Sequence, residues 1–215
     1  LRRRTARTYL GFVALAQAGW IALAIVGLDL GPTLVALALL VALEMAGPRV
    51  AESKGGTPWH PHHIAERYGL LVIITLGEVI LGTVASLNTV VHGEAGWTVD
   101  AVLLAVGGVG LTFGSWWMYF SVPWGEVLAR HRERAFGFGY GHLVVFGALA
   151  AMGAGLHVAA YAAGGEAAIG TVGVVLSVAI PVLVFCLAYF VLYSILFRAV
   201  DVLHVILASG MVLFL

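Results

Sequence analysis

Seven apolar stretches divide the chain, at roughly 9–28, 33–46, 63–87, 99–120, 138–162, 167–197 and 202–215, with polar residues gathered between them. Most reach or approach the about 20 residues a helix needs to cross a hydrocarbon core, so the pattern predicts membrane-spanning helices throughout. The breaks carry suitable punctuation, with Gly31-Pro32, Gly47-Pro48, Gly55-Gly56-Thr57-Pro58, Gly93 and Gly96, Pro123 and Gly125, and Gly164-Gly165. Glycine and proline mark turns because one admits unusual backbone angles and the other lacks an N–H. The second stretch is short, and lengthens through Gly31 and Pro32 at one end and Gly47 at the other. The expected fold is all-α: a polytopic transmembrane helix bundle of about seven helices, forming one domain over residues 1–215.

Composition agrees with the pattern. The chain is 61% hydrophobic and 10% charged, where soluble domains are about half apolar and one-quarter charged. Its mean hydropathy is +1.03. The surroundings implied are a lipid bilayer, and nucleic acid is not among the expected partners.

Net charge is zero, but its distribution is not even. Arg2, Arg3, Arg4 and Arg7 precede the first helix, Arg49, Lys54 and Arg67 flank the second connection, Arg130, Arg132 and Arg134 follow the fourth helix, and Arg198 follows the sixth. Those are all eleven cations, on alternate connections, while the other side holds Asp29, His92, Glu94, Asp100 and Glu166. Short loops rich in Lys and Arg stay in the cytoplasm. The N-terminus is therefore expected inside, in a bacterial inner membrane. No signal-peptide pattern is present, and a chain running from Leu1 to an apolar end at Leu215 suggests a longer native protein.

Small residues recur at helical spacing, as they do where membrane helices approach closely. Gly107, Gly110 and Gly114 form one stripe, Gly147, Ala151, Ala154 and Gly155 another, and Gly69, Ile73 and Gly77 a third, all read as packing faces. Pro181 is expected to kink the sixth helix, with Ser177 one turn earlier able to satisfy a freed group. Trp59, Trp97, Trp116, Trp117, Tyr119, Phe120 and Trp124 sit at the ends of the predicted spans or in loops, where aromatic rings anchor helices at the interface. Cys186 stands alone, so no disulfide forms within the chain.

Polar residues inside the spans carry the candidate chemistry, since burying them in hydrocarbon is costly. Glu78 lies far inside the third helix, about 18 Å beyond Glu66 at 1.5 Å per residue. Arg67 is three turns away, so Glu78 has the options of a bound proton, a histidine partner in His142 or His157, or a bound cation. Glu66 and Arg67 point in different directions, and Glu44 is a candidate partner for Arg67. Asp201 and His204 share a face at the start of the seventh helix. His60, His62 and His63 cluster at the interface, and His142 and His157 are about 22 Å apart along one helix, too far to share a metal. No metal site or cofactor is expected, and nucleotide loops, nucleophile elbows and HExxH patterns are missing from the sequence.

The segment HHIAERYGLLVIITLGEVI resembles the signature of the bacterial low temperature requirement protein A family, carried here by His63, Glu66, Arg67, Gly69, Leu70, Leu76, Gly77 and Glu78. Trp116 to Phe120, WWMYF, is similar to the family's WWLYF element, and Tyr140-Gly141-His142 to its Tyr-x-His pattern. The resemblance covers the C-terminal part of the family pattern; an N-terminal segment, Glu-Leu-Phe-Phe-Asp-Leu-Val-Phe, has no counterpart here. The family places aspartate after WWLYF, where this chain has Ser121. The resemblance implies a multipass inner-membrane protein, without a reaction, substrate or cofactor.

Two functions are open on this reading. One is a proton- or cation-linked transporter using Glu78 with His142 or His157 as relay. The other is a membrane-embedded lipid, quinone or pigment binding protein whose pocket is lined by Trp116, Trp117, Tyr119 and His142. An enzyme ranks last for want of a nucleophile, and a homo-oligomeric assembly is left open.

Overall fold

The computed structural model describes residues 2–53, 57–93, 96–165 and 167–198. The predicted helix at 202–215, with Asp201 and His204, lies outside the described residues. Among those described the protein is helical, with six helices long and apolar enough to cross a membrane. It is a multipass membrane protein.

The chain forms two compact units, Leu1–Trp59 and His60–Leu215. In the first, α1 (Arg2–Val26) pairs with α2 (Leu30–Glu52). Gly27, at φ +62°, turns the chain between them, a conformation that costs glycine little. The second apolar stretch is longer at both ends than its hydropathy suggests, because Pro48 removes only a single ladder bond and the helix continues through it. Gly47 lets the Phe12 ring approach, and Gly19 accommodates Leu40. Polar side chains in this hairpin find local partners: the Trp20 indole N–H donates to Glu44 at 3.0 Å. Glu52 accepts from Tyr9 at 3.1 Å and from the Thr57 hydroxyl at 2.8 Å.

The second unit holds α3 (Pro61–Val91), α4 (Val99–Phe120), the short α5 (Trp124–Arg130), a 3-10 turn at Arg132–Arg134, α6 (Ala135–Ala163) and α7 (Thr171–Phe197). The fifth and sixth predicted spans thus correspond to α6 and α7. Pro61 starts α3 at a position where the missing N–H costs nothing, and Thr98 caps α4 by accepting from the Ala101 N–H at 3.2 Å.

The central contact is between α3 and α6, which are not neighbours in sequence. They run parallel, with Tyr68 beside Gly139, Glu78 beside Gly153, Gly82 beside Leu156 and Thr89 beside Gly164. α4 packs antiparallel on α3, with Phe120 on Gly69 and Gly108 on Thr83, and α7 packs antiparallel on α6, with Leu192 on Gly141 and Ser177 on Gly155. The ends carrying Arg67, Arg130, Arg134 and Arg198 therefore gather on one side, the basic end.

The expected packing faces hold at Gly69, against Phe120, and at Gly155, against Ser177, but not at the other glycines of those stripes. Gly107, Gly110, Gly114 and Gly147 meet nothing within contact distance, as does Gly77. The buried line of α4 is instead Gly108, Thr112 and Ser115, that of α3 is Gly69, Val72, Leu76, Val79, Thr83 and Ser86, and α6 buries Val145, Met152, Gly153 and Leu156. Spacing alone does not select among several small-residue faces on one helix; the bulk of the facing side chains does. One turn before Pro181, the Ser177 hydroxyl donates to the Val174 carbonyl at 2.7 Å, while the Ser177 backbone carbonyl abuts Gly155.

Candidate functional site

Glu78 stands 17 residues into a helix that begins at Pro61, about 26 Å along it. Val72, Leu76 and Val79 turn into the core, which leaves Glu78 at the seam where α6 crosses. There its Oε1 lies 3.7 Å from Nε2 of His157, with side-chain exposures of 47% and 38%. Of the two histidines considered for Glu78, it is His157 that meets it. Both side chains are thus partly exposed at the surface of the helix pair.

The seam is held tight by three features. A Cβ on Gly153 would lie 2.8 Å from the carbonyl carbon, the carbonyl oxygen and Cγ of Glu78. One on Gly82 would meet the Gly153 carbonyl and Leu156, and the Ser86 hydroxyl donates to the Leu156 carbonyl, next to His157. Gly153 and His157 are one helical turn apart and so share a face.

His142 takes a different place, fully buried near the basic end. Its Nδ1 lies 2.7 Å from the Phe138 carbonyl, which can only accept, so Nδ1 carries the proton. Nε2 then accepts from the Tyr119 hydroxyl at 2.8 Å, and the ring is neutral with a defined tautomer. The Trp124 indole N–H donates to the Tyr119 carbonyl at 2.9 Å. Tyr68, Phe138 and Phe146 pack around the imidazole with ring centroids 4.8, 4.2 and 5.6 Å away. Both ring nitrogens of His142 and the Trp124 indole N–H find partners within this cluster, which ties α3, α4, α5 and α6 together.

Of the proposed pocket residues, Tyr119 and His142 come together in the core, while the Trp116 and Trp117 rings meet each other with centroids 6.4 Å apart. Trp117 is 73% exposed and Trp116 40%, so both face outward, as anchoring rings do. Trp124, expected in an interfacial loop, is instead buried in α5 against Tyr119 and Tyr189. Tyr68, Phe138 and Gly153 were not singled out from the sequence. The usable signal was helical spacing, with Phe138 four residues before His142 and Gly153 four before His157.

Comparison with known families decides the membership: the model for bacterial low temperature requirement A protein matches residues 1–215, the whole chain. The chain belongs to this family. No curated protein and no solved structure matches it.

In this family member the helix-three motif divides by depth. His63, Glu66 and Arg67 lie exposed on the first turns of α3, with the His63 ring against His60 at 5.1 Å. His62 packs on Gly125 of α5. Among the described residues, no group of three or more His, Cys, Asp or Glu is arranged to hold a metal ion. Gly69 makes room for the Phe120 ring, so the WWMYF element packs directly on the helix-three motif. Gly77 is exposed beside Glu78. Ser121, where the low temperature requirement A pattern has aspartate, ends α4 and donates to the Met118 carbonyl at 2.8 Å. The Tyr189 hydroxyl lies 3.3 Å from it and is left to donate.

Proposed function

We propose that this protein is a proton- or cation-linked transporter of the bacterial inner membrane, with Glu78 and His157 as the proton-exchanging pair. The observation that carries the reading is the 3.7 Å approach of Glu78 Oε1 to His157 Nε2 within two membrane helices, both side chains being partly open. Intramembrane acids are costly and are placed where protons or ions pass. Histidine is the natural partner because its proton exchanges near neutral pH. A proton on His157 makes a cation facing the Glu78 carboxylate, and its passage to Glu78 leaves two neutral groups; release of that proton leaves the Glu78 carboxylate as a single negative charge, which the next proton or a cation neutralises.

His142 has no part in this relay. It lies about 22 Å from His157 along α6, and its ring nitrogens are engaged with Tyr119 and Phe138. The N-terminus lies in the cytoplasm on this reading, supported by the eleven cations falling on alternate connections.

The test is dye-reported proton flux in liposomes under an imposed pH gradient. The wild type carries flux, and Glu78→Gln and His157→Gln abolish it while leaving the protein folded. Unchanged flux in Glu78→Gln removes Glu78 from the mechanism. A wild type without flux that co-purifies with a lipid, quinone or pigment supports the binding function instead.

A further inference from the structure

Gly153 is the one residue of α6 whose missing side chain is filled by Glu78. A Cβ there would lie 2.8 Å from the carbonyl carbon, the carbonyl oxygen and Cγ of Glu78, closer than real Cβ contacts come. Two of those three atoms are backbone and cannot swing aside, so the helix itself would have to move. The neighbouring contacts point the same way: Gly82 abuts the Gly153 carbonyl and Leu156, and Ser86 donates to the Leu156 carbonyl. α3 and α6 thus come into backbone contact from Glu78 to Ser86, with Gly153 one turn before His157 at the Glu78 end of that seam.

We infer that Gly153 is a positioning residue, which holds Glu78 within reach of His157 by letting the α3 backbone rest directly on α6. The inference rests on the proton-exchange reading of that pair for its functional meaning, but its geometry is separately measurable. A glycine needed only for tight packing would be interchangeable in effect with Gly141, which sits earlier on α6 and admits Leu192 of α7. A glycine needed for the pair would not.

The experiment compares Gly153→Ala with Gly141→Ala in the full chain in lipid, reading by solid-state NMR the distance between the Glu78 carboxyl carbon and the His157 imidazole nitrogen. In the wild type the two are in close contact, as the 3.7 Å approach of Oε1 to Nε2 requires. In Gly153→Ala that contact is lost, and proton flux falls by about 10- to 100-fold, the loss that a misplacement near 1 Å brings. In Gly141→Ala both are retained. If Gly153→Ala does not assemble, Gly82→Ala serves in its place, because its Cβ would press on the Gly153 carbonyl and open the same seam. A contact retained in these variants overturns the inference. A contact that is present in the wild type and lost in Gly153→Ala, in a protein that carries no proton flux at all, keeps the positioning role and overturns the transport reading.

Discussion

Tyr119 of α4 donates its hydroxyl proton to Nε2 of His142 on α6 over 2.8 Å, inside a shell of Trp124, Phe138 and Tyr68. This bond joins two helices across the bundle. Tyr119→Phe leaves a buried imidazole nitrogen unpaired and should cost about 1–3 kcal/mol. His142→Phe alone costs a similar amount, but the double variant costs less than the sum. Interhelical hydrogen bonds in membranes couple by about 0.6 and at most about 1.7 kcal/mol, and denaturant titration in mixed micelles should return a value in that interval. Zero coupling would mean that the bond contributes nothing.

The two faces of α4 make a second prediction. Gly108 faces the Thr83 side chain, while Gly110 faces away with nothing near it. Gly108→Ala should destabilise by about 1–3 kcal/mol through overpacking. Gly110→Ala should stay within about 0.5 kcal/mol of the wild type. Thermal unfolding of both in one detergent separates them, and equal losses would contradict the assigned interface.

At the basic end, the Arg134 guanidinium donates to the carbonyl of Leu196 in the last turn of α7. A cation there satisfies an orphan carbonyl and meets the negative end of the helix, a contribution of about 0.3–1 kcal/mol. Arg134→Met should therefore raise amide exchange at Ser194 through Arg198 and leave the first turns of α7 unchanged. Uniform exchange along α7 would show that the cap does not act locally.

Much of this fold was legible in the sequence. The apolar runs marked every described span because hydrocarbon tolerates few polar groups, and α3 and α4 begin or end within a few residues of their predicted limits. The boundaries of α2 escaped because Pro48 sits within a helix that continues past it, and α5 escaped because seven residues between Pro123 and His131 leave too little periodicity to detect. The site was half legible. Glu78 is conspicuous as an acid in an apolar run, but its choice of His157 over His142 depends on α3 and α6 lying parallel and adjacent. No local pattern encodes that contact between distant segments. The outward turn of Trp116 and Trp117, and the burial of Trp124, follow likewise from which side of α4 meets α3.

Ser121 stands where the family pattern has aspartate. It serves as a local cap and accepts from Tyr189 at 3.3 Å, roles a carboxylate could partly keep. Ser121→Asp should leave proton flux within about twofold of the wild type, since an exposed change away from special features is commonly near neutral. A large gain or loss of flux would draw the α4 terminus into the transport path.

Glu78 beside His157 is the centre of the proposed proton path. Dye-reported proton flux under an imposed pH gradient, measured side by side for the wild type, Glu78→Gln and His157→Gln as full chains in liposomes, reads it directly. Flux in the wild type that is lost in both variants is the expected result. Flux undiminished in either variant would contradict it.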